Sequence, residues 1–147
     1  AELLCETIPA CERVRFTGSG TEATMHTIRL ARAFTGKPKL IKIEGHFHGY
    51  HDQVMFSIGT PADQLASESS PNKWRGSTGM APGLEDQLIL VPYNRPELLE
   101  QTLREHAHET AAVICEPIYF NAGCIRPTPE FLKVLRDAGP WLPGPAA

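Results

Sequence analysis

A turn with the sequence Thr17-Gly18-Ser19-Gly20-Thr21-Glu22-Ala23 decides the fold, because it joins a strand candidate (13–17) to a helical pattern (20–34). Two glycines let the backbone turn tightly and approach a ligand. The first amides of the helix lack intrahelical partners and attract anions, and Ser19 and Thr21 add hydroxyl donors. Ser19 and Glu22 also fit a capping box. The turn alone leaves phosphate binding and simple capping equally open.

Beyond this turn, strand and helix patterns alternate along the chain. Residues 39–43, 88–91 and 111–115 read as apolar strands, and residues 96–106 and 129–138 read as amphipathic helices. Residues 45–83 are rich in Gly, Pro, Ser and His and predict a long, functional or mobile loop. This order is typical of an α/β fold with a mostly parallel sheet and helices on both faces. Ligands of such folds bind beyond the carboxyl ends of the strands.

Composition sets limits on the class of protein. The chain has 147 residues, 41% of them hydrophobic and 21% charged, which predicts one globular domain. A net charge of -3 gives no electrostatic reason to expect nucleic acid or anionic membrane as partners. No apolar run approaches the ~20 residues of a membrane span, and no signal peptide opens the chain. The four cysteines have no Cys-x-x-Cys spacing, so we expect buried free thiols in a reducing compartment.

A histidine-rich stretch, residues 44–52, follows the second strand candidate. It contains His46, His48 and His51 next to Asp52. Imidazole and carboxylate groups bind zinc, manganese or iron, so a metal-dependent hydrolase is one hypothesis. The order of the last two residues is reversed relative to the His-x-His-x-Asp-His pattern of metallo-β-lactamase-like hydrolases. Alternatively, Phe47 forms an aromatic wall for a planar ligand, or the histidines simply have partners within a polar loop.

A third polar stretch follows the last strand candidate. Glu116 ends the apolar run, and Asn121 lies five residues further along the chain. Both side chains are expected over the same edge of the sheet, although a strand terminator followed by a turn explains a single Glu-Pro equally well.

The order of the three stretches is more specific than any one of them. Gly-Ser-Gly-Thr-Glu-Ala, then Glu-Gly-x-Phe-His-Gly, then Glu-Pro-x-x-x-Asn-x-Gly resembles the landmarks of class III aminotransferases, over residues 1–138. The resemblance implies part of the large domain of a fold-type-I transferase that uses pyridoxal 5′-phosphate (PLP). It implies transfer of an amino group between an amino acid or amine and a keto acid or aldehyde. The likeness extends to the aminomutases of the family, and a homodimer in the cytoplasm is expected.

The resemblance also implies roles for individual residues. The turn that holds the phosphate corresponds to Ser19, Gly20 and Thr21. The remaining cofactor contacts would come from Phe47, which stacks on the pyridine ring, from His48, which shapes the pocket, and from Asn121, beside the 3-hydroxyl edge. Glu116 matches a glutamate near the cofactor and is the predicted catalytic residue. Bulky Tyr119 and Phe120 replace small residues of the family and change the expected pocket shape.

Two groups that the family needs for its chemistry have no counterpart here. No Asp-Glu-Val occurs, and the five lysines lie at helix ends, strand flanks and the long loop, not in the context of the Schiff-base lysine. We therefore expect a fragment, inactive alone, with a partial PLP-binding domain over residues 1–138 and an irregular Pro/Gly-rich tail over residues 139–147. A non-catalytic module that binds phosphate or PLP is the second alternative to the enzyme.

Overall fold

The computed structural model describes residues 1–9 and 11–137. Its centre is a sheet of three parallel strands: β1 (Lys39–Ile43), β2 (Leu88–Val91) and β3 (Thr110–Ile114). The order in the sheet is β2-β1-β3, so the first strand in the sequence lies in the middle. Leu40 pairs with Leu88 on one side and with Ala112 on the other. The predicted parallel sheet is confirmed.

Four helices accompany the sheet in the described part of the chain: α1 (Glu2–Thr7), α2 (Gly20–Thr35), α3 (Pro96–His106) and α4 (Pro129–Asp137). The helix α2 begins after Ser19 and ends at Gly36, whose φ of 68° is readily adopted by glycine. The helix α3 begins with Pro96, whose fixed φ suits a first helical position. The sequence predicted these three longer helices, but it did not indicate α1.

Helices cover both faces of the sheet, and each face has its own hydrophobic core. On one face, Leu40 and Leu88 pack with Ile28 of α2. On the other face, Ile41 and the other inward residues of β1 and β2 pack with α3 and α4, where the buried residues are Leu99, Leu103 and Phe131. The strand β1 is therefore buried at four consecutive positions and does not alternate between buried and exposed residues.

The long connection between β1 and β2 is better anchored than its composition indicated. It contains little regular structure, only short 3-10 turns at Ala62–Gln64 and Leu84–Gln87. Val54, Phe56 and Met80 nevertheless lie in the core beneath α2. Two backbone hydrogen bonds, from Ser57 to Trp74 (2.7 Å) and from Gly76 to Met55 (2.7 Å), join its two arms. The connection thus packs on the sheet and carries part of the core.

Some sequence-based expectations were wrong. Residues 13–17 are not a strand, because a strand exists only when it is hydrogen-bonded to a neighbour and no such pairing forms within the described residues. None of the four thiols is fully buried: three are half-buried and Cys124 is exposed.

No helix of the described ranges is long and apolar enough to span a bilayer. The predicted tail over residues 139–147 lies outside the described residues.

Candidate functional site

The N-terminus of α2 is capped by its own side chains. Ser19 Oγ accepts a hydrogen bond from the Glu22 amide at 3.2 Å, as a capping box requires. The return bond differs from the prediction, because Glu22 Oε2 accepts from the amide of Gly18 (2.8 Å) instead of the amide of Ser19. Within the described residues the amides of Gly20 and Thr21 donate no hydrogen bond. The turn is therefore capped and still presents two free donors to an anion.

The loop after β1 packs directly on this helix terminus. Gly49 has a φ of 109°, and a Cβ added to it would lie 2.8 Å from the Cα of Thr21, so only glycine fits this approach. The amide of Tyr50 donates to Thr21 Oγ1 at 3.3 Å, and Thr24 Oγ1 donates to the carbonyl of His48 at 2.7 Å. These contacts bring the predicted phosphate turn and the predicted aromatic wall together.

A shallow cleft of about 300 Å³ lies where the turn and the loop meet, and we call it the turn cleft. Its lining residues are Gly20, Thr21, Thr24, Phe47, His48 and Gly49. His48 is nearly buried, and its Nε2 has no partner among the described residues. Burial, reinforced by Lys42, His46 and His51, lowers the pKa of His48 to about 3, so its ring is neutral at neutral pH.

A second cleft, of about 360 Å³, is also lined by Phe47, and we call it the ring cleft. Asn121, which follows β3 in the chain, lines it. The remaining lining residues are Tyr50, Met55, Ile58 and Gly76. Phe47 lines both clefts, so the three predicted stretches meet around one aromatic ring. Thr24 and Gly49 were not predicted, although Thr24 lies one helical turn from Thr21 and shares its face.

Glu116 connects the loop after β1 with the loop after β3. Its Oε1 accepts from the amide of Phe47 at 2.7 Å, and its Oε2 accepts from the amide of Phe120 at 3.1 Å. Both carboxylate oxygens are thus occupied by backbone donors, one in each of the two loops. In this arrangement Glu116 positions the two loops, and its role as a catalytic group stays a prediction.

The backbone of Glu116 makes a further contact that fixes the state of a histidine. The Glu116 amide donates to His46 Nδ1 at 2.8 Å, so a neutral His46 carries its proton on Nε2. Burial lowers the pKa of His46 to about 4, against the opposing effect of the Glu116 carboxylate. The ring of His46 packs against Tyr93 and Tyr119, with centroids 4.7 and 4.6 Å away. His46 is therefore part of the packing beneath the site.

The described residues do not support the metal-site hypothesis. They contain no group of three or more His, Cys, Asp and Glu side chains that could hold a metal ion. His51 Nε2 lies 3.2 Å from Thr24 Oγ1, and Asp52 Oδ2 accepts from the amide of Ala81 at 3.3 Å. The histidine-rich stretch is divided between packing and loop contacts, because the loop docks on α2.

Lys42 lies inside β1, where residues 39–43 predicted a strand, and it is completely buried. Its backbone pairs with Leu90 of β2 and with Ile114 of β3. Its Nζ donates to the carbonyl of Ile43 at 3.2 Å. Burial lowers the pKa of Lys42 to about 7, although the carboxylates of Glu116 and Glu44 oppose this shift. The lysine therefore contributes a titratable group to the interior, which its sequence context did not indicate.

The chain matches the class III aminotransferase family model over residues 1–139. A glutamate-1-semialdehyde 2,1-aminomutase of Methanopyrus kandleri is 42% identical over 137 residues, which are 93% of this chain and 30% of that protein. An omega-transaminase from Sphaerobacter thermophilus superposes with a TM-score of 0.82 at 35% identity, over 93% of this chain and 31% of that one. A transaminase with PLP bound superposes with a TM-score of 0.72 at 35% identity, over 86% and 28%.

These likenesses cover nearly all of this chain but a minor part of each relative. The chain spans about 30% of the length of the curated relative that it matches. The matching part includes the turn at α2, the loop after β1 and the loop after β3, which together surround the turn cleft and the ring cleft.

Proposed function

Because the chain belongs to the class III aminotransferase family, we propose that it forms one side of a PLP site in a protein that transfers amino groups. One observation carries this proposal: Phe47 lines both clefts, one of them shared with Gly20 and Thr21 of α2 and the other with Asn121. A phosphorylated aromatic ring needs this combination of an anion site, a stacking surface and a polar edge.

The phosphate, the ring face and the 3-hydroxyl edge of the cofactor each have a matching group in the chain. The amides of Gly20 and Thr21, with the hydroxyls of Ser19 and Thr21, would hold the phosphate at the positive end of the helix dipole. Phe47 would stack on the ring, and Asn121 would meet its 3-hydroxyl edge. The unpartnered Nε2 of His48, which lines the turn cleft, gives a further polar atom for a bound ligand. These residues fit the group.

The chain's own residues bind and orient in this proposal. When bound, PLP supplies a ring that withdraws electrons from the carbon undergoing reaction. Glu116 holds the backbone of Phe47 and Phe120 at fixed positions, which limits how far the stacking ring can move. His46 and His48 stay neutral because of burial, so they add no charge to the phosphate side of the site.

The finer features of the activity are part of the same proposal. The substrates would be a small amino acid or amine and a keto acid or aldehyde, with no nucleic acid and no membrane as partners. An aminomutase-like reaction is supported by the identity with the aminomutase of Methanopyrus kandleri. The bulk of Tyr119 and Phe120 favours a different substrate shape. We propose a homodimer in the cytoplasm, and free thiols are typical of that compartment.

Binding of 4′-deoxypyridoxine 5′-phosphate tests the proposal, because this analogue has no aldehyde and cannot react with surface lysines. Equilibrium dialysis should detect binding to the chain, and the analogue without phosphate should bind at least ~10-fold more weakly, about 1.4 kcal/mol. Thr21→Val should weaken binding, whereas Thr21→Ser should restore it. Thr27→Val is the matched control, because that hydroxyl bonds to the carbonyl of Ala23 on the exposed side of the same helix.

The result separates the proposal from its alternative. Equal binding of the phosphorylated and unphosphorylated analogues would contradict the phosphate site at α2. Phosphate-dependent binding by a protein that never transfers an amino group, even when joined to the remaining family segments, would instead favour the non-catalytic module.

A further inference from the structure

The thiols of Cys5 and Cys11 contact each other, and both residues precede the candidate site in the sequence. Their Sγ atoms are 3.9 Å apart, and both residues are half-buried. All four cysteines of the chain lie in its described part, and this is the only pair of them with sulfur atoms in contact. Cys115 packs beside the core on the α3 side, whereas Cys124 is exposed. The pair is therefore set apart from the other two thiols by geometry.

The backbone holds this pair in place. Cys5 lies in α1, and the amide of Ile8 closes that helix by donating to the carbonyl of Leu4 at 3.0 Å. The amide of Cys11 donates to the carbonyl of Ile8 at 2.9 Å. Cys11 Sγ also lies 3.7 Å from the carbonyl of Arg13. These backbone hydrogen bonds link the residues that carry the two thiols.

We propose that Cys5 and Cys11 are a dithiol site that reacts with small-molecule disulfides and closes to an intramolecular disulfide. The sulfur atoms must approach from 3.9 Å to about 2 Å to form the bond. The proposal does not depend on amino-group transfer. The bond would join α1 to the segment that leads into the turn at α2.

The reaction balances with oxidised glutathione as the oxidant. The thiolate of one cysteine attacks the glutathione disulfide, forms a mixed disulfide and releases the first glutathione thiol. The thiolate of the other cysteine then attacks the protein sulfur of that mixed disulfide and releases the second glutathione. Two protein thiols lose two electrons and two protons, and one glutathione disulfide becomes two thiols. Burial and the neighbouring Cys11 raise the pKa of Cys5, so the exchange accelerates as the pH rises.

The test is the thiol state of the reduced 147-residue chain in glutathione buffers of graded potential, after alkylation and mass spectrometry. Trypsin gives a peptide of residues 1–13 that contains both cysteines. With the disulfide, this peptide is two mass units lighter than the reduced peptide and carries no alkyl group. Cleavage after Glu6 gives two peptides joined only by the disulfide. The ratio of reduced to oxidised glutathione at which half of the chains carry the disulfide gives the effective concentration of one thiol at the other. We expect this effective concentration to be at least ~10-fold higher for the folded chain in buffer than for the chain unfolded in urea.

Variants complete the test. In Cys11→Ser, Cys5 should carry glutathione instead of an internal bond, whereas Cys124→Ser should leave the Cys5–Cys11 bond unchanged. Two glutathione adducts on residues 1–13 of the unmodified chain would overturn the proposal. An effective concentration in buffer equal to or below that in urea would overturn it too, because the fold would then contribute nothing to the pairing.

Discussion

The side chain of Tyr119 occupies the space in which a Cβ on residue 45 would have to stand. Gly45 has a φ of 79°, and such a Cβ would overlap the Tyr119 hydroxyl and lie 2.7 Å from its Cζ. Gly45 belongs to the loop after β1, and Tyr119 belongs to the loop after β3. The Tyr119 side chain therefore packs directly on the Gly45 backbone, which joins the two loops that carry Phe47 and Asn121. A substitution of Gly45 or Tyr119 should change the shape of the ring cleft.

Gly45→Ala should destabilise the chain more than Gly59→Ala does. Both glycines have a positive φ, but nothing lies within 4 Å of a Cβ added at Gly59. The left-handed conformation costs an alanine about 1–2 kcal/mol at either position. Overlap with Tyr119 should add about 1–3 kcal/mol at Gly45 alone. Urea denaturation of both variants measures the difference, and equal losses would contradict the close packing.

Glu116→Gln should lower stability by about 1–3 kcal/mol and weaken binding of the phosphorylated analogue. A glutamine side chain has one acceptor oxygen, so its amide group would face the amide of Phe47 or of Phe120 as a second donor. Glu12→Gln is the control, because Glu12 is exposed. Denaturation and equilibrium dialysis check the two effects. An unchanged affinity beside a lost stability would assign Glu116 to the fold alone.

Stability should rise with pH above neutrality because of Lys42. Burial lowers the pKa of Lys42 to about 7 in the folded chain, whereas an unfolded lysine titrates near ~10.4. Between these values the unfolded state binds more protons, so the free energy of unfolding increases with pH, by at most ~1.4 kcal/mol per unit. Below about pH 7 the full cost of burying the charge is present.

Lys42→Met should remove this pH dependence and stabilise the chain at pH 6. The measurement is urea denaturation of both proteins from pH 6 to pH 9.5. Lys133→Met is the control, because Lys133 lies on the exposed part of α4. If the curves of the original chain and of Lys42→Met stayed parallel across this range, the amine would not be held neutral.

The 147 residues alone should not transaminate, although they should bind the cofactor. They contain no Asp-Glu-Val and no lysine in the context that the family uses for its chemistry. Lys42, the most strongly perturbed lysine, is fully enclosed by the core and inaccessible to a substrate. A coupled assay with PLP, an amino donor and a keto acid should give the rate of a control without protein. Turnover above that control would show that the chain is sufficient.

The sequence predicted the regular elements because their signals are local. Pro96 marks the start of α3, Gly36 marks the end of α2, and residues 88–91 form a short apolar run of the kind that buried parallel strands need. Residues 13–17 also contain strand-forming residues, but no described strand pairs with them. Pairing is a long-range property, so a local pattern cannot distinguish these two outcomes.

The contacts of the candidate site also divide into local ones, which the sequence predicted, and long-range ones, which it did not. The contacts within the turn, such as Ser19 with Glu22, follow from spacing along one helix. The hydrogen bond between Glu116 and Phe47 joins the loop after β3 to the loop after β1. Only the register of β1 against β3 brings these two residues together. The place of Val54 and Phe56 in the core could not be read from a stretch rich in loop formers. Family likeness indicated the cofactor contacts, but not the packing that holds them.

The central position of β1 has a consequence for how the chain is made. Of the three strands, the ribosome delivers this one first, and its two neighbours are made only later, since Leu40 must wait for Leu88 and then for Ala112. During that interval both edges of the strand and its buried lysine face solvent or other molecules. Long-range parallel pairing is slow, and an unpaired apolar strand is prone to aggregate. Nascent chains that end before β3 should therefore depend on chaperones more than chains that include it.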